Sequence, residues 1–287
     1  MIYARMSGYG HDGPDADYRS YGPVVQAVSG LSFISGLPGR EPSGWGFSYM
    51  DNQASYYNAA ALLMAIFHRQ RTGVGTLIDT SAVEIGIGLV GSLMLDVSVN
   101  QRQTRTPGFP TGNRLEYPDA APHGVYRCTG DDKWVAIAIF DDDSWGRLVS
   151  AMGDPPWAQD PRFATATQRR GLQDELDSRL ERWTREHDRY EIMELLQARG
   201  IAAGVVQNAQ DVNERDPQLR ERGIFFELDH PVAGRARFEG LPMRFSETVV
   251  DHWRSAPMLG EDNDFVFGEV LGLSHEEMAD LAASGVI

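Results

Sequence analysis

One acidic residue opens the longest helical pattern in the chain. Residues 49–72, YMDNQASYYNAAALLMAIFHRQRT, follow the run Gly44-Trp45-Gly46-Phe47-Ser48, and Asp51 is their first carboxylate. A carboxylate at a helix start accepts from freed backbone N–H groups, here those of residues 53 and 54, and is held anionic and fixed in space. One reading of Asp51 is therefore a helix cap. The other is a carboxylate nucleophile, flanked by Trp45, Gly46 and Tyr49 and turned toward a flat or flexible substrate. Position alone does not choose between them.

Other chemistry is sparse. The sequence contains no zinc box, Walker loop, dinucleotide fingerprint or GxSxG elbow. The seven histidines lack metal-ligand spacing, and no metal is expected. His123, in Ala-Pro-His-Gly before a strand, is either a turn residue bonded to backbone or a ligand contact. Cys128, the only cysteine, reads as a small buried hydrophobe. Asp131-Asp132 and Asp141–Asp143 flank turns and read as solvated charge. Asp79, between apolar residues of a strand, calls for a structural hydrogen bond.

The elements that must hold Asp51 are legible around it. Residues 2–6 form a short buried strand, followed by a loop dense in Gly, Asp and Ser. Val24, Val25, Val28 and Leu31 make a helical stripe. On the main helix, Tyr56, Ala60, Leu63, Met64 and Phe67 are expected to line the core face. Arg69 and Arg71 complement the dipole, and Gly73 terminates the helix. A strand over 76–80 leads to a second helix begun at Thr80 or Ser81, with Glu84 in its first turn. After a polar stretch over 101–120 come a hairpin (124–128 and 134–139), helices at 142–152, 165–184 and 188–199, and a strand near 201–207. Two short helices close the chain, the last capped by Ser274 and Glu277.

The chain has 287 residues, 42% hydrophobic, with 26 Lys and Arg against 41 Asp and Glu, hence a formal charge of −15. That composition suits a folded core and disfavours nucleic acid or an anionic membrane as partner. One cysteine excludes a disulfide framework within the chain. A cytoplasmic enzyme or enzyme subunit is expected.

The run YGPVVQAVSGLSFISG, then Tyr49-Met50-Asp51, then RTGVGTLIDTSAVE (residues 71–84), resembles the family III CoA-transferases, the CaiB/BaiF family. The hairpin AAPHGVYRCTGDDKWVAIAIF, DPRF at 160–163, QARGIAAGVVQNAQDV and the late PMLGED extend the likeness over essentially the whole chain. The resemblance implies an α/β fold: a partial Rossmann-like large domain (1–100, with a return at 236–287), a linker at 101–120 and an α+β small domain at 121–235. It implies an interlocked homodimer. It implies coenzyme A thioester as substrate, with no tightly bound cofactor, and a carboxylic acid as acceptor.

The family's catalytic aspartate maps onto Asp51. By that mapping its carboxylate attacks an acyl-CoA thioester, giving a mixed anhydride and then an aspartyl-CoA thioester. Ser7, Gly8 and Tyr9 fall where the family's loop approaches CoA. Tyr21, Trp45, Gly46, Tyr49 and His123 are candidates for the substrate pocket, and Gly44 and Gly46 for oxyanion donors. The family's racemase branch pairs a histidine with this same aspartate for proton transfer at the α-carbon and has a glutamate on the hairpin's outgoing strand. The positions of that histidine and glutamate fall at or beside Tyr21 and near Phe140, which favours transfer over racemisation. Family members carry a doubly wound nucleotide-binding segment ahead of the equivalent of Ile2, which this sequence does not include. A truncated gene product, a fragment, a non-catalytic remnant or a subunit completed by a partner are the readings that follow.

Overall fold

Two short parallel strands carry the first part of the molecule. β1 (Ile2–Ser7) pairs with β2 (Thr76–Ser81), Ile2 opposite Thr76 and Ser7 opposite Ser81. Parallel neighbours require a long crossover. Here it consists of α1 (Gly22–Val28), α2 (Leu31–Ile34) and the 24-residue α3 (Tyr49–Thr72). The computed structural model describes residues 1–101, 109–115, 117–250 and 253–287. α3 ends where expected, at Gly73 with φ 76°, its N–H bonded to the Arg69 carbonyl. β2 runs into α4 (Ala82–Leu89), whose Ser81 cap accepts from the Glu84 N–H, and α5 (Gly91–Asn100) follows.

Val25, Leu31, Met50, Ala54, Ala82 and Val90 are buried together between these elements. The expected stripe on α3 is corrected. Tyr56, Ala60, Leu63, Met64 and Phe67 are exposed, and Met50, Ala54 and Ala65 are the buried residues. The helix is apolar on most sides, so its periodicity does not select a face. Likewise only Val25 and Leu31 of the earlier stripe are buried. The helix breaks at Ser29-Gly30, which shifts the phase between α1 and α2.

The second pattern is a three-stranded antiparallel sheet in the order β3 (His123–Arg127), β4 (Trp134–Ala138), β5 (Ala202–Val205). Alternation places Tyr126, Val135 and Ile137 on the core side. There they meet Leu148 of α6 (Asp142–Ala151), Leu176 and Leu180 of α8 (Gln173–Thr184), and Ile192 and Leu196 of α9 (Arg189–Gln197). The helix expected over 165–184 is interrupted at Leu172, so α7 (Ala166–Gly171) precedes α8. Cys128 is buried as expected, and burial pushes its thiol up to about 11.

Arg169, on α7, is fully buried and fastens this unit. Its Nε donates to the Ala121 carbonyl at 2.8 Å, Nη1 to the carbonyls of Phe163 at 3.0 Å and Ala164 at 3.2 Å, and Nη2 to Asp142 at 2.9 Å. The expected linker at 101–120 lies partly outside the described residues. In its described part, Arg114 pairs with Asp174 at 2.6 Å and Asp177 at 2.8 Å, and Tyr126 donates to Asp177 at 2.8 Å.

The chain divides into two compact units, Met1–Val206 and Gln207–Ile287. The second holds α10 (Pro217–Arg222), the hairpin of β6 (Phe225–His230) and β7 (Gly234–Glu239), and α11 (His275–Ala283) with its Ser274–Glu277 capping box. Among the described residues no single helix is long and apolar enough to cross a membrane, though α4 and α5, bent by 61°, pass on length and composition as a pair.

Replacing Arg169 by Leu leaves three backbone carbonyls without that donor. We expect a loss of about 3 kcal/mol or more in unfolding free energy by urea titration; a loss below about 1 kcal/mol would contradict the role assigned to Arg169.

Candidate active site

The first turn of α3 is built around a close approach. Ser48 occupies the N-cap position but makes no side-chain capping bond. Asp51 lies three residues inside the helix, which corrects its reading as the cap. Its N–H bonds to the Ser48 carbonyl at 3.1 Å, and its own carbonyl accepts from Ser55 Oγ at 2.8 Å. The carboxylate is solvent-exposed on one side. On the other it lies against Gly22, the first residue of α1. A Cβ at position 22 would sit 2.7 Å from Asp51 Oδ2 and 2.9 Å from the Cα and Oγ of Ser48.

Glycine is required here by space and not by backbone angle. The residue is buried, and Pro23 follows it in the first turn of α1. Tyr21 precedes it with an extended backbone and an exposed ring.

The segment entering α3 forms an aromatic rim. Trp45 and Tyr49 meet edge to face with ring centroids 4.4 Å apart, and Phe47 meets Tyr49 at 5.9 Å. Trp45 Nε1 donates to Ser35 Oγ at 2.8 Å. The buried Gln26 of α1 binds the same segment, donating from Nε2 to the Phe47 carbonyl at 3.0 Å and accepting from the Trp45 N–H at 3.4 Å. Gly46, at φ 74°, makes the turn between them.

The loop after β1 reaches the start of α1 from the opposite direction. Ser7 Oγ donates to the Gly10 carbonyl at 2.9 Å. The Gly8 carbonyl accepts from the Val83 N–H at 2.9 Å and Ser81 Oγ at 3.3 Å. Gly8 packs so tightly on Ser20 that a side chain there would overlap it. Tyr9 is half-buried.

Asp79 fastens the next turn of this loop. His11 Nδ1 lies 2.7 Å from its Oδ1, the His11 N–H donates to Oδ2 at 3.1 Å, and Arg5 Nη2 donates to Oδ2 at 3.3 Å. The His11 hydrogen bond, aided by the Arg5 charge, holds the Asp79 carboxyl below its ordinary range. The structural hydrogen bond expected of Asp79 is present.

His123 belongs to a different neighbourhood. Its Nδ1 contacts the Asn113 carbonyl, and its ring meets Phe140 edge to face at 5.9 Å. It lines a cavity of about 470 Å³ with small residues of the sheet, among them Gly124, Ala136, Ala138 and Gly204. Among the described residues no group of three or more His, Cys, Asp or Glu is arranged to hold a metal ion.

Comparison with known proteins decides the family. The model of CoA-transferase family III matches residues 1–263. The chain is 31% identical over 287 residues to the succinyl-CoA–D-citramalate CoA-transferase of Chloroflexus aurantiacus, covering 100% of this chain and 69% of that one. The chain belongs to CoA-transferase family III. A formyl-CoA:oxalate CoA-transferase of Bradyrhizobium diazoefficiens is 27% identical over 304 residues, covering 100% of this chain and 70% of its own length. In three dimensions the crystal structure of a CAIB/BAIF family protein from Brucella suis matches with TM-score 0.82 and 26% identity, over 94% of this chain and 68% of that one.

As a family III chain this is an enzyme of acyl-CoA metabolism, with coenzyme A thioester as the substrate the family takes. Of the residues singled out in sequence, the structure groups Asp51, Tyr21, Trp45, Gly46 and Tyr49 around the start of α3, and brings Ser7, Gly8 and Tyr9 toward the start of α1. His123 sits with the three-stranded sheet. Sequence reasoning passed over Gly22 and Gln26. Tyr-Gly-Pro at a helix start was the available signal for Gly22, because Pro alone would have sufficed to begin the helix.

Gly22→Ala suits helix propensity but collides with Ser48 Cα and the Asp51 carboxylate. We expect a cost of about 1–3 kcal/mol in stability, with the first turn of α3 displaced in a crystal structure of the variant. A variant as stable as the parent with Asp51 unmoved would contradict the close-approach account.

Proposed function

We propose that the chain transfers CoA from an acyl-CoA thioester to a carboxylic acid, with Asp51 as the nucleophile. One observation carries the reading: the Asp51 carboxylate lies against Gly22 on one side and is open on the other, beside a rim of Trp45, Phe47 and Tyr49. A carboxylate walled on one side and open on the other suits attack on a carbonyl carbon.

The steps balance without an outside proton or oxidant. An Asp51 oxygen bonds to the thioester carbonyl carbon, the C–S bond breaks, and CoA leaves as thiolate from a mixed anhydride. The thiolate attacks the Asp51 carbonyl carbon, releasing the donor's acid as carboxylate and leaving an aspartyl-CoA thioester. The acceptor carboxylate then attacks that thioester, forming a second anhydride and thiolate. Attack of the thiolate on the acceptor's acyl carbon yields the new CoA ester and restores Asp51. Each step replaces one acyl exchange by an easier one. Backbone donors at Gly44 and Gly46 are the proposed stabilisers of the developing oxyanions. The loop of Ser7, Gly8 and Tyr9 is the proposed contact for CoA, and the His123 cavity a proposed subsite for substrate.

The donor and acceptor named for the relatives, succinyl-CoA with D-citramalate and formyl-CoA with oxalate, support a small acidic acceptor. The proposed assembly is an interlocked homodimer. Broad apolar exposure on α3 (Tyr56, Leu63, Met64, Phe67) and α5 (Leu95, Val99) supports a large covered interface. Sedimentation at micromolar concentration should return twice the chain mass, and a monomer would contradict the dimer.

Asp51→Asn tests the mechanism in an assay of succinyl-CoA and formyl-CoA against D-citramalate and oxalate. Turnover should fall by at least 10³-fold, in the range for loss of a covalent nucleophile, with the melting temperature within a few degrees of the parent. Retained turnover would exclude Asp51 as nucleophile. Deuterium entering the α-carbon of an acyl-CoA from solvent, with no acceptor present, would instead identify the racemase chemistry.

A further inference from the structure

The entry to α3 is held in an unusual way. Ser48 at the N-cap offers no side-chain bond to the helix. The Phe47 carbonyl instead takes two donors, Tyr49 N–H at 2.8 Å and Gln26 Nε2 at 3.0 Å. The other end of the same carboxamide, Oε1, accepts from the Trp45 N–H. One buried side chain thus binds the backbone on both sides of Gly46. Gln26 stands one helical turn beyond Gly22 on α1, and Gly22 is the residue against which the Asp51 carboxylate rests. The two contacts leave α1 on the same face; that of Gly22 meets the first turn of α3 and that of Gln26 the segment entering it.

We propose that Gln26 is the positioning residue for Asp51: its carboxamide clamps the Trp45–Phe47 backbone and so sets where α3 begins and where its first carboxylate points. The proposal rests on Asp51 being the nucleophile. A carboxamide suits the task because it presents a donor and an acceptor side by side, matching the N–H and C=O it meets. Burial makes the match matter, since each backbone group left without its partner there loses solvent as well. Neither Met nor a carboxylate reproduces it: Met fills the volume without the bonds, and an ionised Glu keeps the acceptor for Trp45 N–H but sets a second acceptor against the Phe47 carbonyl.

Three measurements on the full chain test this. First, Gln26→Met should accelerate amide hydrogen exchange of Trp45 and its neighbours up to Asp51 while the second half of α3 exchanges as before. Unchanged exchange over 45–51 overturns the clamp whether or not the chain turns over. Second, kcat of Gln26→Met on the donor–acceptor panel should fall at least tenfold with KM for the CoA ester within twofold, as expected when a reacting group is misplaced and binding is intact. Unchanged kcat overturns the positioning role. Third, Gln26→Glu should regain activity as pH falls, because a protonated carboxyl again offers one donor and one acceptor. Burial raises the pH at which that proton is lost. The variant's kcat should therefore decline with rising pH relative to the parent, and a parallel profile overturns the proposal. Asp51→Asn separates the two levels: if it retains turnover, the nucleophile reading fails, and if it is dead while Gln26→Met matches the parent, only the clamp fails.

Discussion

The contact between Gly22 and the first turn of α3 is the constraint on which the rest of the site depends. No side chain fits between α1 and Ser48, so the two helices meet backbone to backbone at this point. That approach gives Asp51 a wall on one side. It also places the clamp residue Gln26 over the Trp45–Phe47 segment, and it puts Tyr21 beside the same turn. Close packing behaves as a jigsaw and not as a fluid, so a shift at one methyl's scale propagates into the position of the group it supports. Backbone geometry at Gly22 sets one side of the Asp51 carboxylate.

The surrounding elements serve this junction in layers. Val25, Leu31, Met50 and Ala54 form the apolar seal beneath it. The parallel strands β1 and β2 fix the loop after Ser7, and Asp79 ties that loop down through His11 while pairing with Arg5 of β1. Gly8 and Gly22 are both pressed against neighbours that admit no Cβ, one on Ser20 and one on Ser48 and Asp51. The start of α1 is thus held from two directions by residues whose absence of a side chain is their contribution.

Much of the fold was legible in the sequence because its signals are local. Gly73 ends α3, Ser81 and Glu84 begin α4, Ser274 and Glu277 begin α11, and the 123–138 hairpin shows both alternation and a turn. The buried face of α3 was not legible. Its apolar residues surround the helix, and tertiary contacts chose Met50, Ala54 and Ala65 over the larger side chains. Asp51 was found by residue type and place, yet its reading as a cap does not hold, since the helix begins two residues earlier at Tyr49 with Ser48 as its N-cap. Gly22 and Gln26 escaped for a common reason. Their importance lies in what they touch nineteen or more residues away, and neither glycine nor glutamine announces a distant contact in its local pattern.

The central claim is that Asp51 becomes covalently joined to CoA. Its most direct test is mass spectrometry of the chain incubated with succinyl-CoA or formyl-CoA, with and without hydroxylamine, followed by peptide mapping. The account predicts a CoA adduct on the intact chain and a hydroxamate at Asp51 when hydroxylamine is present, both lost in Asp51→Asn. A folded, dimeric chain that turns over CoA esters with no modification at Asp51 would contradict it.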